Sequence, residues 1–333
     1  MAIKLTSYYR GSYVPNLPGN DTFHSTALFH IFEGTPGCHP LLLTVSDEGT
    51  ILSKMLVVVQ RIVRFIPFYS IRRCVSYGTG EYFCPDDQRE TLLSEMLKEV
   101  KRYANRMGCF VIEVRNLQAP LSGFGIFRQE QFFSVNWLRV RNSFDDLAIE
   151  QSFSTSRRRQ VRIGLKNGAV VETADTEEDI NEFGRMLKRN YLSKIRKHFP
   201  AIEFFHQIQK GIKDVHIGES WQSFKIFIVK YHQKIIGGCV CIYSGSSAFV
   251  WFSGGMNKTY LRQYPSVLAV WKALTDAKER GFKHLEFMDV GTPFRKHGYR
   301  DFVLRFGGEQ ISTRRWFQFR WRWLNKLCLW FYS

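Results

Sequence analysis

Leu92, Leu93, Met96, Leu97, Val100 and Tyr103 recur at the spacing of one helix face, and Val267, Leu268, Val270, Trp271, Leu274 and Ala277 do the same. Each run passes through a glycine into a short apolar strand that ends on an acid, Gly108-Cys-Phe-Val-Ile-Glu113 and Gly281-Phe-Lys-His-Leu-Glu286. Glycine suits the left-handed residue that closes a helix. The repetition of one phrase in both halves predicts a duplicated unit.

The strands around these phrases follow the same plan. Pro40–Ser46, the turn Asp47-Glu48-Gly49 and Ile51–Gln60 read as a hairpin. Phe224–Lys230, a turn at His232-Gln233, Ile235–Tyr243, a turn at Ser244–Ser246 and Ala248–Phe252 read as a meander that leads into a helix over 263–280. A last strand closes each unit, Phe132–Arg141 in the first and Gln310–Arg320 in the second. Between them, Asp145–Asn167 reads as a basic linker helix ending at Gly168, followed by helices over 176–197 and 201–212. The expected division is 1–145 and 146–333, both α/β (α+β).

Composition narrows the class. A chain of 333 residues accommodates two domains, and an apolar fraction of 44% with 15% aromatics is globular. No apolar run approaches the ~20 residues of a membrane span. The N-terminus has no apolar signal core, so a cytosolic protein is expected, its seven cysteines thiols. Cys239 and Cys241 share a strand face without a second ligand pair and read as small core residues. The net charge of +17 is concentrated. Arg157, Arg158, Arg159, Arg162 and Lys166 form one acid-free run, and Lys188, Arg189, Lys194, Arg196 and Lys197 a second. Each is read either as a solvated helix face or as a surface for a polyanion.

The order meander, helix, strand, closing strand is similar to the GNAT acyltransferase fold, and two in tandem resemble the Fem-type family that builds peptidoglycan cross-bridges. The resemblance is carried by Ser156-Arg-Arg-Arg-Gln-Val-Arg-Ile-Gly-Leu-Lys-Asn-Gly168, Ile236-Gly-Gly238, Tyr264-Pro-Ser266, Met288-Asp-Val-Gly291 and Phe302-Val-Leu-Arg-Phe-Gly-Gly308. It implies two tandem GNAT-like units, each a mixed, mostly antiparallel sheet flanked by helices, acting at the inner membrane face of a bacterium. Its chemistry is acyl transfer to an amine, which needs positioning, proton removal and oxyanion stabilisation and no bound cofactor. The donor substrate is acyl-CoA or aminoacyl-tRNA, and the acceptor is phosphate-bearing or lipid-linked.

Asp289 ends the strand Lys283–Met288 before a glycine loop, where it serves as a general base or as ordinary turn chemistry. His297 and Tyr299 follow in the loop as proton carriers or plain surface residues. The family's Phe-Lys is Phe302-Val303 here, so Arg305, on the same face if the segment is a strand, or Arg295 or Lys296, is the substitute cation. The resemblance places Arg158 or Arg162 at the acceptor's phosphates, with Arg157 and Lys166 in the same run. The loop Met256–Ser266 lacks the Gly-x-Gly of a CoA pyrophosphate turn, leaving Lys258, Arg262 and the Ser266 hydroxyl for a donor phosphate. Glu113 and Glu286 match each other and read as structural.

From Arg314 to the end the chain holds five cations, four tryptophans and no acid. It reads as a strand to about Phe319 and then a docked helix or an interfacial anchor. Three functions stay open: the Fem-like transfer, an acyl-CoA or acyl-carrier-protein dependent N-acyltransferase of a small amine, and a non-catalytic module holding a phosphorylated lipid or nucleic acid.

Overall fold

The computed structural model describes residues 3–66, 69–119, 121–144, 148–194, 200–213 and 223–332. Arg196 and Lys197 of the second basic run, and Asp145 at the expected start of the linker helix, lie outside them. The elements are β1 (Ile3–Tyr9), α1 (Thr26–Glu33), β2 (Cys38–Asp47), β3 (Thr50–Ile66), β4 (Tyr69–Tyr77), β5 (Glu81–Tyr82), α2 (Asp86–Arg106), β6 (Cys109–Arg115), α3 (Phe124–Gln129) and β7 (Phe133–Ser143). Then come α4 (Thr155–Lys166), β8 (Val170–Thr173), α5 (Glu177–Lys194), α6 (Glu203–Lys213), β9 (Phe224–Tyr231), β10 (Lys234–Ser244), β11 (Ser247–Gly255), α7 (Pro265–Glu279), β12 (His284–Phe287), α8 (Gly298–Leu304), β13 (Glu309–Phe319) and α9 (Arg322–Phe331).

The expected helix–glycine–strand phrases form as read. α2 carries Asp86 and Asp87 in its first turn, complementing the helix dipole, and buries Leu92, Leu93, Met96, Leu97 and Val100. It ends before Gly108, whose φ of +66 turns the chain into β6. α7 buries Val267, Leu268, Val270, Leu274 and Ala277 and ends before Gly281, φ +78, which leads to β12. All of Cys239, Cys241 and the other cysteines up to Cys109 are buried free thiols.

Two compact units result, Met1–Trp137 with Ser312–Ser333, and Leu138–Ile311. The boundary differs from 145/146 because each unit takes its closing strand from the other half of the sequence. In the first unit β4 and β6 run parallel, and β6 is followed by antiparallel β13, with Phe317 opposite Glu113. In the second, β11 and β12 run parallel, and β12 is followed by antiparallel β7, with Arg141 opposite Glu286. The strand after β6 in sequence thus closes the second unit, and the strand after β12 closes the first.

The matched acids sit on these seams. Glu113 is buried and accepts from Arg115 Nε at 2.8 Å, Arg73 Nη1 at 3.0 Å and Arg315 Nη1 at 3.1 Å, the last from β13. Glu286 is equally buried and accepts from Arg139 Nη1 at 2.7 Å and Arg141 Nε at 2.9 Å, both from β7. A buried carboxylate without such partners would carry a large desolvation cost.

Burial works to raise the Glu113 carboxyl, but the guanidinium groups of Arg115, Arg315 and Arg73 outweigh it and hold it at about 2 against an ordinary 4.5. A depressed acid stabilises the fold above its unfolded pKa and loses that contribution as pH falls through the folded one. Acid titration of the denaturation midpoint should therefore show a loss on the order of 3 kcal/mol between pH 4.5 and 2, and Glu113→Gln should flatten that slope while lowering stability at neutral pH. An unchanged slope in the variant would remove Glu113 as its source.

Candidate active site

β11 and β12 pair over four residues only, from Ser247 opposite His284 to Val250 opposite Phe287. β11 then continues to Gly255 against β10, while the chain leaves β12 as Met288-Asp289-Val290-Gly291. The divergence has a local cause: Val240 of β10 faces Phe252 and Cys241 faces Val250, so Trp251 is a bulged residue. The two parallel strands thus part at their carboxyl ends, the place where α/β sheets commonly receive ligands.

Polar groups from four elements meet where the strands part. α5 buries Ile180, Phe183 and Leu187 on one stripe, which carries Tyr191 to β11. The Tyr191 hydroxyl accepts from the backbone N–H of Ser253, and the Ser253 Oγ lies 3.0 Å from the Tyr299 hydroxyl in the first turn of α8. Burial is the main reason both phenols titrate above their ordinary range, and the negative charge of Asp289 raises both further, against the opposing hydrogen bonds from Ser253. Both are therefore protonated at neutral pH and act as donors rather than bases.

Arg300 organises the loop that follows Asp289. Its buried guanidinium donates to the carbonyls of Val290, Thr292 and Arg295, at 3.4, 2.8 and 2.6 Å. Gly291 has φ +87, and a Cβ there would come within 2.8 Å of the His297 ring. His297 itself is the N-cap of α8, its Nδ1 accepting from Arg300 N at 3.4 Å. Asp289 and Tyr299 are thus brought together, with His297 supporting the helix beside them. Tyr191 and Ser253 were not singled out from the sequence; the signals were a tyrosine at the end of a buried helical stripe and a hydroxyl in an apolar strand.

The remaining candidates separate. Phe302–Arg305 belongs to a helix and its cap, not a strand, because Phe302, Val303 and Phe306 pack at helical spacing. Arg305 caps α8 from the exposed surface, beyond the end opposite Tyr299, and Val303 is fully buried. Arg158, Arg162 and Lys166 lie exposed along one row of α4, four residues apart. Arg157 is rotated inward. It is 4% exposed, donates to the Phe302 carbonyl at 2.9 Å and to Gln160 Oε1 at 2.6 Å, and lies over the Phe302 and Phe306 rings. Burial, with the charge of Arg305, pulls it down to about 10. It ties α4 to α8 and does not join the exposed phosphate row.

The N-terminus of α7 is closed. Pro265 has no N–H, Ser266 N donates to Asn257 Oδ1 at 3.2 Å, and Val267 N and Leu268 N donate to the Tyr264 carbonyl. The Ser266 Oγ accepts from Asn257 Nδ2 at 2.8 Å, so the side chain expected to meet a phosphate belongs to the cap. Gly237 and Gly255 allow this close seating; a Cβ at either would come within 2.8 Å of Pro265 or Ser266. Lys258 and Arg262 remain exposed in the preceding loop, which is held to α4 by Asn167 Nδ2 donating to the Arg262 carbonyl at 3.0 Å.

Residues 151–296 match the family model of the acetyltransferase (GNAT) domain. FemX has the same fold, with a TM-score of 0.63, 13% identity and coverage of 93% of this chain and 95% of FemX. So does a tandem GNAT protein from the clavulanic acid biosynthesis pathway, at 0.53, 9%, and 95% and 98%. L-PGS from Bacillus licheniformis is also similar, at 0.51, 11%, and 83% and 84%. No curated protein matches by sequence. The tandem GNAT-like arrangement read from the sequence is the fold of this chain, and residues 151–296 of its second half match the GNAT domain.

Arg157 and Arg162 of the same basic run should respond differently to truncation. Arg157→Ala should lower unfolding free energy by about 2 kcal/mol in urea titrations, and Arg162→Ala should stay within ~0.5 kcal/mol of wild type. Equal effects would contradict the inward placement of Arg157.

Proposed function

We propose that the second unit transfers an acyl or aminoacyl group from an activated donor onto an amine of a phosphate-bearing cell-envelope precursor. The observation that carries this reading is the convergence of Asp289, Tyr191, Ser253 and Tyr299 where β11 and β12 part. The acceptor nitrogen attacks the donor carbonyl carbon and a C–N bond forms. Its proton passes to the Asp289 carboxylate. The carbonyl oxygen carries the negative charge of the tetrahedral species, for which a protonated phenol is a suitable hydrogen-bond donor. Collapse breaks the C–O bond of an ester donor or the C–S bond of a thioester, and Tyr299 or Tyr191 supplies the proton to the leaving oxygen or sulfur.

The closed N-terminus of α7 favours an aminoacyl-tRNA donor over acyl-CoA. A CoA pyrophosphate at that position would require backbone N–H groups that Asn257 and Tyr264 already engage. The exposed row Arg158, Arg162 and Lys166 is the proposed contact for the acceptor's phosphates, and Lys258 and Arg262 for those of the donor. None of these cations is needed for proton transfer, so binding and chemistry divide between different side chains.

The test supplies purified protein with a lipid-linked peptidoglycan precursor and, separately, aminoacyl-tRNA or acyl-CoA, and follows the acceptor mass. Asp289→Asn should lower kcat about 10²–10⁴-fold with the acceptor KM unchanged. Arg158→Ala and Arg162→Ala should raise the acceptor KM roughly tenfold each while leaving kcat intact. Turnover with acyl-CoA alone would replace the tRNA donor, and precursor binding without turnover on any donor would favour the non-catalytic module.

A further inference from the structure

The C-terminal helix presents an apolar face that its own unit does not cover. α9 is docked on its inner side: Asn325, 7% exposed, accepts from Phe319 N at 2.9 Å and donates to the Gln131 carbonyl at 2.9 Å. Tyr332 stacks on Phe133 at 5.5 Å. On the outer side Trp323, Leu327, Trp330 and Phe331, at helical spacing, are 65, 46, 72 and 69% exposed. Trp321 stacks on Trp323 and extends this stripe. Among the described residues no helix is long and apolar enough to cross a membrane.

Beside the stripe lies a cavity of about 480 Å³, lined by α2, β6, β13 and α9. Ala104, Cys109, Val111 and Ile112 give it an apolar side, and Arg320, Arg322 and Lys326 a cationic one. Among the described residues none of these three cations is ion-paired. Lys101, also in the wall, is neutralised by Glu130. An aromatic stripe flanked by unneutralised cations, over a cavity that is apolar on one side and cationic on the other, matches an amphiphile with an anionic head.

We infer that α9 seats on an anionic lipid bilayer, with Trp323, Leu327, Trp330 and Phe331 in the headgroup boundary and a lipid phosphate at Arg320, Arg322 and Lys326. Indole rings favour that boundary, and each nearby cation strengthens attraction to anionic lipid several-fold. The inference rests on the first unit alone and is independent of the donor, the acceptor and Asp289.

The test is flotation of the full chain with vesicles of phosphatidylcholine, or of phosphatidylcholine with about one-third phosphatidylglycerol. The wild type should float with the anionic vesicles only, with a blue shift of tryptophan emission. Arg322→Gln with Lys326→Gln should weaken this about 30-fold, at about fivefold per cation. Trp323→Ser with Trp330→Ser should abolish it while the melting temperature is kept. If that pair proves misfolded, the Gln pair, both at exposed positions, decides. No flotation, equal flotation on both vesicles, or flotation indifferent to either pair overturns the inference. So does a tryptophan-dependent dimer that excludes vesicles, or capture of glycerol phosphate or tRNA without vesicle binding.

Discussion

A carboxylate on the central strand of a sheet is stable only where its charge is matched, and Glu113 and Glu286 impose that condition on each unit. Glu113 is answered from β4, from its own strand and from β13; Glu286 is answered from β7 alone. In both cases the antiparallel neighbour that brings arginine comes from the other half of the sequence. The exchange of closing strands is therefore an electrostatic requirement as well as a matter of backbone pairing. A strand that paired correctly but carried no arginine would leave an uncompensated buried charge.

The parting of β11 and β12 in the second unit depends on the same pairing. β12 is held on one side by β7 through Glu286 and on the other by only four residues of β11. The bulge at Trp251 turns β11 away at that point, and the loop after β12 is held by Arg300 and by the Leu138 N–H of β7 donating to the Gly291 carbonyl at 2.9 Å. Rigid support beside strands that part is the kind of frame on which the proposed reaction site is best built.

Much of this was legible in the sequence for one reason. Periodicity reports which residues of a segment face the core, so the buried face of α2 is as read, α7 and the meander β9–β11 emerge close to their observed limits, and β3 runs on from the expected Gln60 to Ile66. Periodicity does not report which segment a strand will pair with, and the closing strands were assigned to the units that precede them in the chain. The run Phe302–Phe306 carried a cation on the same face as position 303 only if it were a strand, and the packing of Phe302, Val303 and Phe306 at helical spacing makes it a helix and its cap instead. Within the basic run, neighbouring arginines differ by about 100° around the helix. That rotation buries Arg157 and exposes Arg158, which composition alone treats as equal. Asp289 drew attention in the sequence because it ends a strand before glycine; Tyr191 did not, because its partners arrive from β11.

The exchanged strands also set an order in time. A polypeptide emerges from its N-terminus, yet the first unit includes Ser312–Ser333 and so lacks β13 until Glu309–Phe319 has been made. Until then β6 has an open edge on that side, and Glu113 lacks the charge of Arg315. The second unit has no such delay, since β7 is made before β12 and all of Leu138–Ile311 precedes residue 312. Of the two units, the one whose strands begin to be translated first is the one completed last.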